Sequence, residues 1–511
     1  MKTIVLRTKG ISMSRRPALL ASALLLLAGC NPGPKYHAPA PPAIAAQDYK
    51  ESSANFKDAD GWKVASPGDA MLRGKWWEIY QDPELNALEE QVAINNQNIR
   101  GSFENFMSAR TQIAQARSQY WPTVTTSPSW QRSTSSQNVT GSNAANPGRS
   151  TSEWSFPLSV SWEPDLWGKI RNQVHEAQYG AQVSAADLEN ERLSEQSSLA
   201  QYYFEICGQD ALQAILNDTV AADQKALDLT RTQYETGVGD RIAVVQAEST
   251  LESAKATAVN LGVARAQYEH AIATLIGKPA TNFSLPVRPL LRAAPPIPVG
   301  VPSQLLERRP DVAAAERTLA EANATIGFGY GAFFPSVDLA AEGGFESSLL
   351  KHAFDWPSRF WSLGPSVSQT IFNGGLYTAE LHQYTATYNA DLASYRQTVL
   401  TAFQQVEDSL AAVRLESQQV ENQQRAVDRA QQALDFEMGR YETGVDPYID
   451  FVTAQNTLLA DRQSLATTQI EEMTASVELI AALGGGWDRN QLPTPKQVSA
   501  KPAKGDYRLQ R

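Results

Sequence analysis

The sequence predicts a mixed α and β fold, duplicated within one chain, in which two pairs of membrane-type strands feed two very long helical hairpins. Three observations carry this. The pentapeptide Tyr234-Glu235-Thr236-Gly237-Val238 returns as Tyr441-Glu442-Thr443-Gly444-Val445, 444 − 237 = 207 positions later. Segments ahead of each copy alternate apolar with small polar residues at a period of two. The second long segment carries a strict seven-residue stripe, Leu392, Val399, Val406, Val413, Val420, Val427, Leu434 and Tyr441.

The duplication extends past the pentapeptide. At the same offset Ile242 meets Ile449, Leu251 meets Leu458 and Gly277 meets Gly484. Upstream the offset becomes 213, pairing Pro122 with Pro335 and Val124 with Val337, so the first copy carries 213 − 207 = 6 extra residues in a surface loop.

Residues 1–29 read as a signal peptide: Arg15-Arg16, a short apolar run, then Leu27-Ala28-Gly29-Cys30. That ending resembles the bacterial lipobox, which makes Cys30 the expected lipidated first residue. The run is too short for a membrane helix, which needs about 18 apolar residues or more. Cleavage would remove five basic residues and take the formal charge from −11 to −16, so nucleic acid is not an expected partner. With Cys30 lipidated, only Cys207 then remains as a free thiol, a small core residue by its helical setting.

Residues 30–83 form a tether and a mixed segment, with Trp76-Trp77 as packing residues. The first structural repeat spans 84–277, a Pro-rich linker 278–303, the second repeat 304–484, and a disordered tail 485–511. Residues 84–120 show a single helical pattern. Strands are expected at about 120–131, 153–163, 334–346 and 359–371, apolar outward and small-polar inward. Residues 133–152, rich in Ser, Asn and Gly, should be the loop between the first two. Each strand pair precedes a helix of about 65 residues, roughly 100 Å long. A seven-residue stripe keeps one seam toward a neighbour. The glycines at 237 and 444 turn each hairpin back.

Four strands cannot close a barrel, and open edges are not tolerated in lipid. Two chains would supply eight strands and three would supply twelve. No nucleotide-binding loop or clustered metal ligands occur, and His175, His270, His352 and His382 are scattered. No enzyme activity and no cofactor are expected.

Leu27–Cys30, Trp76-Trp77 with Asp82-Pro83-Glu84-Leu85, the run Leu305 to Val312, Tyr441–Val445 and Ala482 to Trp487 together resemble the TolC-like outer membrane factors, in particular the OprM/NodT-type efflux lipoproteins. The resemblance implies a homotrimer with a shared twelve-stranded transmembrane β-barrel, continuous with a long α-helical periplasmic barrel. It also implies a periplasmic adaptor (membrane fusion protein), an inner-membrane RND pump and an outer membrane lipid setting. The expected function is a passive exit duct for small molecules in a tripartite multidrug efflux system. The alternatives are a structural coiled-coil lipoprotein and an exit duct for secreted proteins.

The tip residues Gly237, Val238, Gly444 and Val445 are expected to dock the adaptor. Ile449, Asp450, Thr453 and Tyr441 are expected at the periplasmic aperture. Asp450, Thr453, Thr457 and Asp461 share a polar stripe, and a threefold axis would gather three Asp450 carboxylates into a ring that draws cations. The competing reading makes Asp450 a solvated acid at a helix start. Against the family pattern, Asp450 matches the first of two acid rings and Thr453 replaces the second. Tyr441 matches a latch tyrosine. Its partner acid aligns with Ala243 and its arginine with Asp446, leaving Asp240 and Arg241 as substitutes.

Overall fold

The computed structural model describes residues 31–40, 49–51, 74–134, 136, 150–288, 290, 293–297, 308–443 and 445–501. Cys30 and Gly444 lie outside the described residues. So do residues 298–303 of the expected linker.

The expected single helix over 84–120 is two. Helix α1 (Pro83–Asn95) stops where Asn96 turns to ψ 127°. The Asn96 side chain then accepts from the backbone N–H groups of Asn98 and Ile99, at 2.8 and 3.0 Å, and starts α2 (Gln97–Ser118).

The first expected strand is also broken. It forms β1 (Thr123–Thr126) and β2 (Ser129–Thr134), both paired antiparallel to β3 (Ser150–Trp162). Pro128 sits in the gap and has no N–H to give to a ladder. Strands also run into the expected loop at both ends, to Thr134 and from Ser150. After β4 (Ser336–Ser347) and β5 (Arg359–Ser368) the order is β1/β2, β3, β4, β5, with every pairing antiparallel. Register aligns Val124 with Val160, Trp162 with Leu339 and Val337 with Val367. One face therefore gathers Val124, Trp154, Leu158, Val160, Leu363 and Val367. The other gathers Ser159, Ser161, Glu342, Ser362 and Ser366. The outer edges of β1/β2 and β5 have no partner strand among the described residues.

The helices repeat in length. Helices α3 (Lys169–Glu235) and α6 (Leu376–Glu442) each have 67 residues, and their starts differ by 376 − 169 = 207. Helices α4 (Arg241–Leu275) and α7 (Tyr448–Ala482) each have 35. Helices α2 and α5 (Pro310–Gly331) each have 22, their starts differing by 310 − 97 = 213. Helix α3 packs against α2, α4, α5 and α7, while α6 packs against α5 and α7. Along the seven-residue stripe Val399, Val406, Val413 and Tyr441 are buried, and Val420, Val427 and Leu434 are half-buried.

The largest core belts the middle of the long helices. Trp76, Trp77, Tyr80, Leu85 and Leu88 pack on Tyr203, Phe204, Ile272 and Met473, burying large apolar surfaces where a slender hairpin alone has little interior. Tyr203 donates to Asp82 at 2.5 Å, fixing the start of α1 to α3. The tail is ordered from 485 to Lys501, which corrects the expected disorder over that stretch; residues 502–511 of the expected tail lie outside the described residues. The short helix α8 (Pro495–Val498) opens with a capping box between Thr494 and Gln497. Val498 is buried against Ile113 and Ala181. Arg110 donates to the carbonyls of Val498 and Ala500 at 3.2 and 2.7 Å.

Candidate functional site

The site is the end of the two hairpins, where α3 turns into α4 and α6 into α7. At the first turn Gly237 holds φ 81°, a left-handed conformation that glycine adopts without a Cβ clash. The N–H groups of Val238 and Gly239 both reach back to the Gln233 carbonyl at 2.9 Å. The second turn repeats this bond at the same offset, with Val445 N–H on the Arg440 carbonyl at 2.9 Å. Asp240 then caps α4 by accepting from the Ile242 N–H at 3.2 Å. Its counterpart Pro447 makes no side-chain cap. Instead Asp446 is gripped by the Arg440 guanidinium, one contact being 2.8 Å from Nη2.

Between the turns lies a small core of Ala226, Leu227, Ala247, Leu251, Tyr441, Tyr448 and Phe451. Tyr441 stacks on Phe451, with centroids 5.6 Å apart and planes 13° from parallel. Its hydroxyl lies 2.9 Å from that of Thr230. Thr230 already donates its one proton to the Ala226 carbonyl at 2.7 Å, so Tyr441 is the donor of the pair. Thr230, and neither Asp240 nor Arg241, is therefore the partner of Tyr441 within the chain. One turn further along, Gln455 donates to Asp223 at 2.6 Å in a buried bond. Burial pushes the Asp223 carboxyl up, and the Gln455 bond opposes this. Burial, then the nearby Asp223, pushes the Tyr448 hydroxyl to about 12.

The expected aperture residues separate. Ile449, Asp450 and Thr453 are exposed, whereas Tyr441 is 5% exposed beneath them. Thr453 and Thr457 turn their hydroxyls back to the carbonyls of Ile449 and Thr453, each at 2.8 Å. Asp461 leaves the expected polar stripe: it is half-buried against α6, where Gln423 donates to it at 3.3 Å. Val238 and Val445 are both exposed and line a groove of about 590 Å³ between the turns, with Ile242, Pro447 and Ile449.

Sequence reasoning missed Thr230, the Asp223–Gln455 pair and the Glu437–Arg440–Asp446 group. Arginine holds the Asp446 carboxyl below its ordinary range; loss of water contact, then Asp446, pushes Glu437 above its own. The spacing Glu437, Arg440, Asp446 around a turn signal was the available cue. No local pattern announces partners more than 200 positions apart.

The chain is 30% identical to the antibiotic efflux pump outer membrane protein ArpC of Pseudomonas putida, over 96% of this chain and 100% of that protein. It is equally similar to the toluene efflux pump outer membrane protein TtgC, also of Pseudomonas putida, with the same coverage. Among solved structures, the outer-membrane channel OprN superposes with a TM-score of 0.80 at 27% identity, covering 90% of this chain and 100% of that one. The open MtrE outer membrane channel of Neisseria gonorrhoeae gives 0.75 at 26%, covering 90% and 99%. The family model for outer membrane efflux proteins matches residues 88–278 and 301–485, one span for each half of the duplication, and the chain belongs to that family of outer membrane efflux channel proteins.

Proposed function

We propose that three copies of this chain form the exit duct of a tripartite efflux system. The observation that carries the reading is the two-faced sheet with two open edges, continuous with helices roughly 100 Å long. Its apolar face suits lipid and its serine-rich face suits water. Three such sheets, each counted as four strands with β1/β2 as one interrupted strand, would join edge to edge as a twelve-stranded barrel, leaving no edge in lipid. The helices then enclose the periplasmic part of the duct. Cys30 is the lipid-bearing N-terminus. The exposed groove between the tips, with Val238 and Val445 on its rim and Gly237 turning the first tip, receives the helical tip of a periplasmic adaptor. That adaptor links the duct to an inner-membrane pump of the RND type. Ile449, Asp450 and Thr453 face the narrow end.

Relatives named for antibiotic and toluene efflux favour small molecules over secreted proteins as cargo. A coiled-coil spacer has no use for a two-faced sheet. Planar-bilayer recording of the purified protein should give discrete, passive single-channel conductance, and absence of conductance would sink the reading. The anchor is checked separately by mass spectrometry, which should find acyl chains on Cys30.

A further inference from the structure

We propose that the exposed faces of α4 and α6 are the two sides of one seam, closed between copies of this chain, and that Tyr234 and Arg241 of one copy meet Glu437 of the next across it. The inference rests on the ring of copies proposed above and adds which residues face one another. Its basis is the duplication. Within the chain, the second half already sits on the first: α7 lies against α3, and α5 lies between α3 and α6. Every contact across that seam joins a residue of one half to a residue of the other. The offset, 207 for the long hairpins and 213 for α5, converts each into a pair that only a second copy can complete.

The long stretch of the seam gives the first conversion. Ile470 of α7 is 5% exposed and lies over Gly208 of α3, so closely that a Cβ on Gly208 would fall 2.2 Å from the Ile470 side chain. The counterparts are 470 − 207 = 263 and 208 + 207 = 415. Val263 is 56% exposed and Leu415 is 52% exposed. A single branched side chain filling the space left by glycine is thus replaced by two apolar side chains standing in water, on helices equivalent to the packed ones. Ala466, buried on α7, likewise has the exposed Val259 as its counterpart. Val452 and Leu229, which pack on the tip core, have the exposed Val245 and Phe436. Along this stretch, five packed positions of the inner seam have exposed apolar equivalents on the outer faces: Val263, Leu415, Val259, Val245 and Phe436. Water contact at that many apolar positions on two matching helices is what an unfilled interface looks like.

The tip gives the second conversion. Tyr441 donates to Thr230, and Tyr448 packs beside Tyr441. The counterparts are Tyr234, Glu437 and Arg241. Tyr234 is 45% exposed against 5% for Tyr441. Arg241 is exposed, whereas Tyr448 is buried. Glu437 has one carboxylate oxygen shielded from water with no hydrogen-bond partner among the described residues, and it stands among the acids Asp446 and Asp450 and the single guanidinium of Arg440. A tyrosine hydroxyl and a guanidinium brought in by a second copy supply the missing donor and a second positive charge beside Arg440, which is already paired with Asp446. Seams around the ring then alternate. Those within a chain are closed by Tyr441–Thr230 among aromatic rings, and those between copies by an ionic group.

Disulfide trapping in the full-length protein tests both parts. Val263→Cys and Leu415→Cys, placed on separately tagged copies and co-expressed, should cross-link into mixed covalent pairs, as should Tyr234→Cys with Glu437→Cys. Thr230→Cys with Tyr441→Cys in one chain should close an internal loop without any increase in mass. Each single variant controls for the buried Cys207. Arg241→Glu should shorten the lifetime of detergent-solubilised oligomers about threefold, the weight of one solvent-accessible ion pair, and adding Glu437→Arg should restore it. Oligomers that form but cross-link at neither site overturn the seam and leave the duct reading standing. Cross-links at Val263–Leu415 without the Tyr234–Glu437 link or the charge rescue overturn the tip pairing. Trapping of a different protein at these cysteines overturns the assignment of a second copy. A wild-type protein that forms no oligomer in the membrane removes the duct reading itself.

Discussion

Helices α2 and α5 occupy the same place in the two halves and have the same length, yet their surroundings differ. Thirteen residues of α5 are buried, from Pro310 and Val312 to Gly331, against three of α2, Ile99, Met107 and Ile113. The cause is position in the wall. Helix α5 is clasped between two long helices, α3 and α6, while α2 has one, α3, beside it together with the short tail segment around Val498. The same asymmetry reaches the tips, where Tyr441 is enclosed and Tyr234 is not. A duplicated sequence folds into equivalent elements, but burial depends on who stands next to each copy. In the proposed ring of copies, another chain would supply the neighbour that the first half lacks.

The sharpest test of this contrast removes one tyrosine at a time. Tyr441→Ala takes away a ring enclosed by Phe451 and Tyr448 and should cost about 3–5 kcal/mol, as for other buried aromatics. Tyr234→Ala in the dissociated chain should cost less than about 1 kcal/mol, as for surface positions. Denaturant unfolding of detergent-solubilised monomer, followed by hydrogen exchange at the tips, measures both. Equal losses would break the comparison.

Next in size are the glycines that end the return helices. Gly277 and Gly484 hold φ 69° and 93°. A Cβ on Gly484 would sit 2.0 Å from the Arg308 carbonyl oxygen, and one on Gly277 would sit 2.6 Å from that of Asn95. Neither obstacle is a side chain that can swing aside. Left-handed strain alone costs roughly 1–2 kcal/mol, so both alanine variants should lose folded yield. Gly484→Ala should lose more, because its clash is the tighter.

Much of this architecture was legible in advance, and the reasons are physical. The offset of 207, the six-residue insertion, the period-two strands and the glycine turns are all local or periodic signals. What was not legible depended on side chains meeting across the fold. Pro128 interrupts a strand that its alternation alone would continue. Asn96 caps two helices at once inside a pattern that reads as one. The Pro- and Lys-rich tail looks unstructured until Val498 finds a buried place between Ile113 and Ala181. At the tip, Gly237 and Val238 were identified by repetition, but Thr230 has no feature that marks it as the partner of a tyrosine 211 positions away.

A smaller effect separates the halves electrostatically. Glu321 on α5 faces Gly180 of α3, and its counterpart on α2 at the offset of 213 is Ser108, an exposed residue. Burial first, then Glu176 and Asp391, pushes the Glu321 carboxyl up to about 7. The folded chain therefore holds a proton that the unfolded chain releases above about pH 4.5. The stability this proton supports is full below that pH and is lost as pH rises through about 7. Glu321→Gln should flatten the dependence between these limits and leave the variant more stable at pH 8, by on the order of 1 kcal/mol after screening by solvent. Ser108→Ala should leave the curve unchanged. An unaltered pH profile in Glu321→Gln would show that the acid is better solvated than its surroundings indicate.

The least of the expected effects lies at the narrow end of the proposed duct. Asp450 and Ala243 are counterparts, since 450 − 243 = 207, so a ring of three chains would carry an acid at three of six equivalent positions. Asp450 is exposed in the first turn of α7, where the helix dipole already favours a negative charge. A solvated acid at a helix start and a member of a cation-attracting ring are both compatible with that position, and the two differ in what the pore should feel. If the carboxylates face the lumen, Asp450→Ala lowers the preference for cations over anions and relieves block by divalent ions. The change should be about twofold, well below the tenfold or more of a deeply focused cleft, because these side chains are in water. Ala243→Asp, which fills the other three positions, should move selectivity the opposite way. Reversal potentials in asymmetric salt across a planar bilayer measure both variants. Identical selectivity and divalent block in all three proteins would leave Asp450 with the helix-start role alone, and would mean that the second half differs from the first at this position for the sake of α7 and not of the pore.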